Sequence, residues 1–266
     1  MDFNTKTILG RTGLSVGRLG ISSSFGAPSA AYEEAFERGC NYFTLGTFLR
    51  GASREMKKAI LNISNNGKRE KLVLVINGYG HNKLINDWIL SRRLKSLGLE
   101  YVDVFLLSFH QQKPIKSTIE GVLKMKEKGL ARFIGLSGHN RSLFPRLSTE
   151  GIFDLFHIRY NAVNRGAEQD IFPFMAGENR QGIISYTATR WGQLLKESKM
   201  PPGETAPTAT DCYRFVLSNP AVDVCMMGAR NHAMMKENLQ TLDLGPMTNE
   251  ELDRMRKIGD HIYRRK

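Results

Sequence analysis

Tyrosine and histidine side chains, which can give or take protons, follow several of the short apolar runs in this chain. Tyr79, His110 and His139 each come two or three positions after such a run. Side chains alternate along a strand, and groups at the ends of parallel strands meet at one edge of the sheet. Because imidazole titrates near neutrality and a phenol can donate a proton, we predict an acid–base pair of Tyr79 and His110. The alternative interpretation is that these are ordinary polar loop residues facing solvent.

Other chemistry-bearing residues show no such grouping. Cys40, Cys212 and Cys225 are isolated from one another, without a CxxC pair or a histidine at zinc-like spacing, so we interpret them as buried thiols. His81, His232 and His261 have no partner in the sequence and are expected on the surface. The sequence therefore predicts no metal site.

Composition limits the classes of protein to which the chain can belong. Of its 266 residues 41% are hydrophobic and 24% charged, which is typical of a globular protein with a sizeable core. No apolar run approaches the roughly 18 residues of a membrane span, and no secretory signal opens the sequence, so we expect no membrane association and a cytoplasmic location. The net charge is +12, but no aromatic and basic pattern accompanies it, so nucleic acid is not an expected partner.

The elements that position these residues alternate between apolar runs and amphipathic segments, as in repeated βα units. Eight such units in about 250 residues favour an α/β fold of the closed (β/α)8 TIM-barrel type over an open sheet. Residues 7–16 are predicted to form an N-terminal hairpin that caps the barrel, and residues 248–263 an extra C-terminal helix that starts with a capping box. No linker divides residues 1–266, so we expect one domain. The predicted strands are 19–22, 42–45, 72–77, 102–107, 133–137, 155–160, 182–187 and 222–227.

Several segments carry a family pattern when they are taken in order. They are residues 9–16, 35–43, 96–107, 128–137, 228–230 and 237–239. Together they resemble the aldo-keto reductases over nearly the whole chain. The resemblance implies a barrel that binds NADP(H) at the carboxyl ends of its strands and transfers a hydride to a carbonyl, with proton transfer assisted by Asp, Tyr, Lys and His.

At the four positions of that tetrad the chain carries other residues. They are Thr44, Leu49, Asn77 and Ser108. Leucine cannot donate a proton, and none of the replacements supplies the charge that tunes a phenol, so ordinary reductase chemistry is not expected. This is why Tyr79 and His110 are the candidate catalytic residues.

The cofactor positions keep more of the family pattern. By resemblance, Ser137, Asn140 and His157 lie beside the nicotinamide carboxamide, and Tyr186 stacks on the ring. Towards the adenosine end, the resemblance implies contacts from Gly228, Arg230, Glu237 and Asn238, with Arg230 on the 2′-phosphate.

We therefore predict an NADP(H)-binding oxidoreductase with a non-standard active site that acts on an unknown small molecule. One alternative is a catalytically silent NADP(H)-binding sensor or scaffold with a protein partner, since the family resembles potassium-channel beta subunits and glutamate-cysteine ligase modifier subunits. Another is a barrel enzyme of a different reaction type, in which Arg159, Arg190 and His157 bind an anionic substrate.

Overall fold

Parallel strands form a closed barrel, which confirms the predicted (β/α)8 fold. The computed structural model describes residues 2–46, 53–177 and 179–264. The barrel closes where the last strand pairs with the first, through Cys225 beside Leu19 and Met227 beside Ile21. The barrel strands are β3 (Leu19–Ser22), β4 (Tyr42–Leu45), β5 (Val73–Gly78), β6 (Val102–Leu107), β7 (Ala131–Gly138), β8 (Leu155–Arg159), β9 (Gly182–Tyr186) and β10 (Val224–Met227).

Helices surround this barrel and bury one apolar layer against its outer face. The α-helices are α1 (Ser29–Glu37), α2 (Arg54–Ile63), α3 (Lys83–Leu97), α4 (Lys116–Glu127), α5 (Leu143–Ser148), α6 (Ala167–Asp170), α7 (Ala209–Leu217), α8 (His232–Leu244) and α9 (Asn249–Arg264). The predicted capping box precedes α9: the Glu251 amide donates to the Thr248 hydroxyl at 3.2 Å, and the Thr248 amide donates to the Glu251 carboxylate at 2.8 Å.

The predicted N-terminal hairpin closes the amino-terminal end of the barrel. Strand β1 (Thr7–Ile8) pairs antiparallel with β2 (Ser15–Val16). Leu9, Leu14 and Val16 are buried in the same apolar cluster as the inward side chains of the barrel. The hairpin thus leaves the carboxyl end of the barrel as the open one.

Strand ends differ from the sequence prediction by up to two residues. Strand β10 begins at Val224 rather than at residue 222, because the Val222 amide donates to the Asn219 carbonyl in a turn. Strand β7 starts two residues before its predicted start because Ala131 pairs with Val102. Neither change alters which side chains face inward.

A repeated polar contact ties neighbouring strands together at the amino-terminal end. A buried side chain at the start of every second barrel strand accepts a hydrogen bond from a main-chain amide of the strand segment before it. The residues are Asn41, Asp103, Asp154 and Asp223, which accept from Gly17, Leu74, Ile134 and Ile183 at 2.7–2.9 Å. Contacts at this end serve stability, since the active site of such a barrel lies at the other end.

Two further findings concern the cysteines and the helices. Cys40, Cys212 and Cys225 are buried free thiols, as predicted. Among the described residues, no helix is long and apolar enough to cross a membrane.

Candidate active site at the mouth of the barrel

A cavity of about 250 Å³ opens at the carboxyl ends of the strands. Side chains near the carboxyl ends of the strands reach it, among them Thr44 on β4 and His157 on β8. The lining residues are Ser22, Ser24, Phe25, Thr44, Asn77, Tyr79, Leu106, Ser108, Phe109, Ser137, His157, Tyr186, Thr187, Ala188, Thr189, Trp191, Tyr213, Met226, Met227 and Gly228. No Asp, Glu, Lys or Arg is among these described lining residues.

Three of the four residues that the resemblance places at the tetrad positions lie together in this cavity. Thr44, Asn77 and Ser108 all line it, whereas Leu49 lies outside the described residues. The Ser108 hydroxyl donates to Oδ1 of Asn77 at 3.3 Å, and Nδ2 of Asn77 donates to the Gly46 carbonyl at 2.8 Å. Asn77 and Ser108 therefore belong to a neutral hydrogen-bond network with the Gly46 carbonyl.

Tyr79 belongs to the same network. Its hydroxyl donates to the Gly46 carbonyl at 3.3 Å, and its ring stacks on Phe109 with centroids 5.8 Å apart. Burial raises the pKa of Tyr79 to about 12, against a smaller lowering from a hydrogen bond with Asn77. The phenol is therefore protonated throughout the physiological range.

Aromatic rings continue from Tyr79 along one side of the mouth. Phe109 meets His139 with centroids 6.3 Å apart, and His139 meets Tyr186 at 5.9 Å. The Tyr186 hydroxyl donates to the Gly138 carbonyl at 2.8 Å, which fixes its ring at the edge of the cavity. Burial, and secondarily Arg159, lower the pKa of His139, so this imidazole favours its neutral form.

His110, in contrast, is not among the residues that line the cavity. Its ring lies against His81, with centroids 4.8 Å apart, and its Nε2 is buried without a partner. Burial lowers the pKa of His110 to about 4. The extrapolation from strand alternation fails here because Phe109 has φ 64°, and this left-handed residue ends the strand geometry before His110. Tyr79 therefore lines the cavity, whereas His110 packs against His81 and is not one of the lining residues.

Unusual backbone conformations collect at the same end of the barrel. The non-glycine residues with positive φ in the described chain are Phe109, Thr187, Arg190 and Trp191, with φ between 49° and 64°. Such conformations cost about 1–3 kcal/mol each and cluster at functional sites. Three of these residues, Phe109, Thr187 and Trp191, line the cavity. Trp191 is 73% exposed at its entrance.

His157 lies on the wall of the cavity and is bonded to a residue that the sequence analysis did not select. Its Nε2 lies 2.8 Å from the Tyr42 hydroxyl, and both side chains are buried. Burial lowers the pKa of His157 to about 3 and raises the pKa of Tyr42 well above its ordinary value. The pair is therefore neutral at pH 7. The separation of 115 residues explains why no local sequence signal indicated it.

The candidate nicotinamide contacts divide into two groups. Ser137, His157 and Tyr186 line the cavity. The Ser137 oxygen accepts from the Phe109 amide at 3.1 Å, so its own O–H can donate elsewhere. Asn140 is exposed, and its Nδ2 donates to the Gln111 carbonyl at 3.1 Å; it is not among the lining residues.

The candidate adenosine contacts surround the start of α8. Gly228 lines the cavity, and its carbonyl accepts from Nδ2 of the buried Asn238 at 3.2 Å. A Cβ at Gly228 would collide with the ring of Phe25, another residue that sequence reasoning missed. Arg230 and Glu237 are exposed on either side of the first turn of α8, which Asn231 caps by accepting from the Met234 amide.

The residues proposed for an anionic substrate do not share this cavity as a set. Of Arg159, Arg190 and His157, only His157 is among the lining residues. Arg159 is half-buried at the end of β8, beside Tyr186 in the strand register. The cavity itself therefore provides no cation among the described residues.

Comparisons with known proteins agree with this architecture. The model of the aldo/keto reductase family matches residues 20–211. An aldo-keto reductase from Bacillus halodurans in its holo form superimposes with a TM-score of 0.78 at 19% identity, covering 96% of each chain. An aldo/keto reductase from Klebsiella pneumoniae in complex with NADP and acetate gives a TM-score of 0.77 at 19% identity, again covering 96% of each chain. At this identity the structural likeness establishes the fold.

Proposed function

The chain belongs to the aldo/keto reductase family. From that premise we propose that it binds NADP(H) at the mouth of the barrel and reduces a carbonyl compound there, and that uncharged side chains of the protein assist the proton transfer. The observation that carries the proposal is the neutral cavity in which Tyr79, Ser137 and Tyr186 lie together. The complex of the Klebsiella pneumoniae relative with NADP supports the choice of cofactor.

The nicotinamide end of the cofactor fits the cavity. The Tyr186 ring is held in place by its bond to Gly138 and offers a flat apolar face for stacking. The Ser137 hydroxyl retains a proton that can be donated to the carboxamide. These residues would orient the nicotinamide and exclude water from one of its faces.

The phosphate end fits the start of α8. Gly228 has no side chain of its own, so only the Phe25 ring, which packs on its backbone, has to move before a ligand reaches that backbone, and Arg230 is exposed two residues further along the chain. A guanidinium offers several donors to phosphate oxygens, and the amides at a helix start favour anions. Arg230 would therefore bind the 2′-phosphate and favour NADPH over NADH.

Tyr79 is the proposed proton donor. When bound, NADPH supplies a hydride to the carbonyl carbon, which leaves negative charge on the carbonyl oxygen. The Tyr79 hydroxyl would turn from the Gly46 carbonyl to that oxygen and donate its proton there. Because the pKa of Tyr79 is raised to about 12, the hydroxyl stays protonated, and it stabilises the oxygen first as a hydrogen-bond donor.

A second function, NADP(H) binding without catalysis, is favoured by the same neutrality. No described lining residue carries the cation or carboxylate that would lower the pKa of a phenol, and the Tyr79 hydroxyl is engaged with Gly46. In this case the protein senses the cofactor or serves as a scaffold for a protein partner.

The test is a titration of NADPH followed by its fluorescence, and then its consumption in the presence of aldehydes, ketones and quinones. Tyr186→Leu is expected to weaken binding about fivefold, since a stacked ring contributes on the order of 1 kcal/mol beyond its buried area. Tyr101→Leu, at the amino-terminal end of the barrel, is the matched control. Binding with consumption supports the reductase, binding without consumption supports the silent function, and no binding at millimolar NADPH rejects both.

A further inference from the structure

The hydrogen bond between the Tyr42 hydroxyl and Nε2 of His157 spans the interior of the barrel. Their strands, β4 and β8, are four places apart in a closed order of eight, so the two residues come from opposite walls. A Cβ at Gly20 would lie 2.6 Å from the Met226 sulfur and 3.2 Å from Cδ1 of Tyr42. The glycine thus leaves room for the Tyr42 ring to extend across the barrel below the cavity.

Hydrogen-bond satisfaction decides which atom of this pair is the donor. The Tyr42 hydroxyl has no other partner among the described residues, and its surroundings are apolar side chains such as Val75, Val104 and Ile184. If Nε2 of His157 carried the proton, the proton of the Tyr42 hydroxyl would be buried without an acceptor, which is costly. The favourable arrangement has the Tyr42 hydroxyl donating to an unprotonated Nε2.

The other ring nitrogen must then carry the proton, because a neutral imidazole has one N–H. Nδ1 of His157 has no hydrogen-bond partner in the described part of the chain. It is also absent from the fully buried polar atoms that lack a partner, so it has accessible surface. Since the ring lines the cavity, Nδ1 is reached from the cavity. The strongly lowered pKa of His157 keeps the ring from gaining a second proton at pH 7.

On the basis of the cofactor site proposed above, we propose that Tyr42 is a positioning residue, which fixes His157 as a neutral Nδ1–H donor to the carboxamide oxygen of the nicotinamide. The donor acts without charge, in keeping with the neutral lining of the cavity. Its direction is set by a residue on the opposite wall.

The first test is 15N NMR of the imidazole nitrogens in the full chain without cofactor, with the His157 signals identified by their loss in His157→Gln. We expect a protonated Nδ1 and an unprotonated, hydrogen-bonded Nε2. Tyr42→Phe should remove the bond at Nε2 and allow both tautomers, which averages the two shifts. Tyr32→Phe, an equally buried tyrosine outside the barrel, should leave them unchanged. A protonated Nε2 in the unaltered protein, or unchanged shifts in Tyr42→Phe, would overturn the proposal.

The second test is a double-mutant cycle on NADPH affinity. Tyr42→Phe alone should weaken binding about fivefold, in line with the loss of one well-placed neutral hydrogen bond. In the His157→Gln background, the amide at position 157 needs no tautomer, so Tyr42→Phe should change affinity less than twofold. Equal losses in both backgrounds would show a merely structural role for Tyr42 and overturn the proposal. An absence of NADPH binding in the unaltered protein rejects the proposed function, while the NMR result still decides the tautomer.

Discussion

The ring of Phe25 packs on the backbone of Gly228, in the space that a side chain at position 228 would occupy. Phe25 is 46% exposed and follows β3, and Gly228 follows β10, so the contact lies where the barrel closes. A ligand that approaches the Gly228 backbone must therefore displace this ring. The aromatic side chain competes with the phosphate end of the proposed cofactor.

Removing the ring should relieve this competition. We expect Phe25→Ala to tighten NADPH binding about fivefold, because about 1 kcal/mol of apolar contact no longer has to be broken. Gly228→Ala should weaken binding in the native background and do so less when combined with Phe25→Ala. Fluorescence titration gives all four affinities. Weaker binding in Phe25→Ala would mean that the ring contacts the cofactor instead of competing with it.

Arg230 should determine the preference between the two nicotinamide cofactors. Charge-assisted hydrogen bonds contribute roughly 1.5–3 kcal/mol, so Arg230→Ala is expected to weaken NADPH binding by about 10-fold or more. NADH lacks the 2′-phosphate and should lose less than threefold. Arg146→Ala, an exposed arginine on α5, controls for the change in net charge. Equal losses for both cofactors would reject the assignment of Arg230.

Tyr79 should affect turnover more than binding. Tyr79→Phe keeps the ring that stacks on Phe109 but removes the proton, so kcat is expected to fall about 100-fold while NADPH affinity stays within twofold. Because the pKa of Tyr79 is raised to about 12, the unaltered protein should show no loss of rate from this group between pH 6 and pH 9. Rates that fall with a midpoint near pH 8, or an unaffected kcat in Tyr79→Phe, contradict the assignment.

The barrel could be predicted because each strand is a short apolar run between helices of regular amphipathic spacing. The strand of Tyr42 and Leu45 has the same ends in sequence and structure, and the α9 capping box was visible in Thr248 and Glu251. The site was harder, because strand alternation holds only while the backbone is extended. Alternation predicted that both Tyr79 and His110 face the barrel mouth; Tyr79 lines the cavity, whereas His110 does not, because the positive φ of Phe109 interrupts the extended backbone before it.

Contacts across the barrel could not be predicted from the order of residues. Tyr42 meets His157 only because β4 and β8 face each other in a closed sheet. The contacts at the amino-terminal end left a usable signal, since Asn41, Asp154 and Asp223 each directly precede a strand. A polar residue repeated at the start of every second strand is a pattern that sequence analysis can detect.

Asp223 should contribute strongly to stability through the hydrogen bonds that its buried carboxylate accepts. It accepts from the Ile183 amide at 2.7 Å and from Arg180 at 2.8 and 2.5 Å. Asp223→Asn removes the charge opposite Arg180 and should lower the free energy of unfolding by about 3 kcal/mol, as for a broken buried pair. Asp243→Asn breaks the exposed pair with Arg38 and should cost under about 1 kcal/mol. Urea unfolding compares the two variants, and similar losses would show that the buried contact has no special weight.

His157 should make the protein less stable in mild acid. Burial lowers its pKa from 6.5 to about 3, so between these values the unfolded chain binds a proton that the folded chain does not. Stability therefore carries no penalty from this group above pH 6.5 and falls as the pH drops below it. From pH 7 to pH 5 the loss is about 2 kcal/mol, and His157→Gln should reduce the pH dependence of urea unfolding by that amount. An unchanged slope in His157→Gln would mean that the imidazole can gain a proton in the folded protein, and that the interior below the cavity admits water.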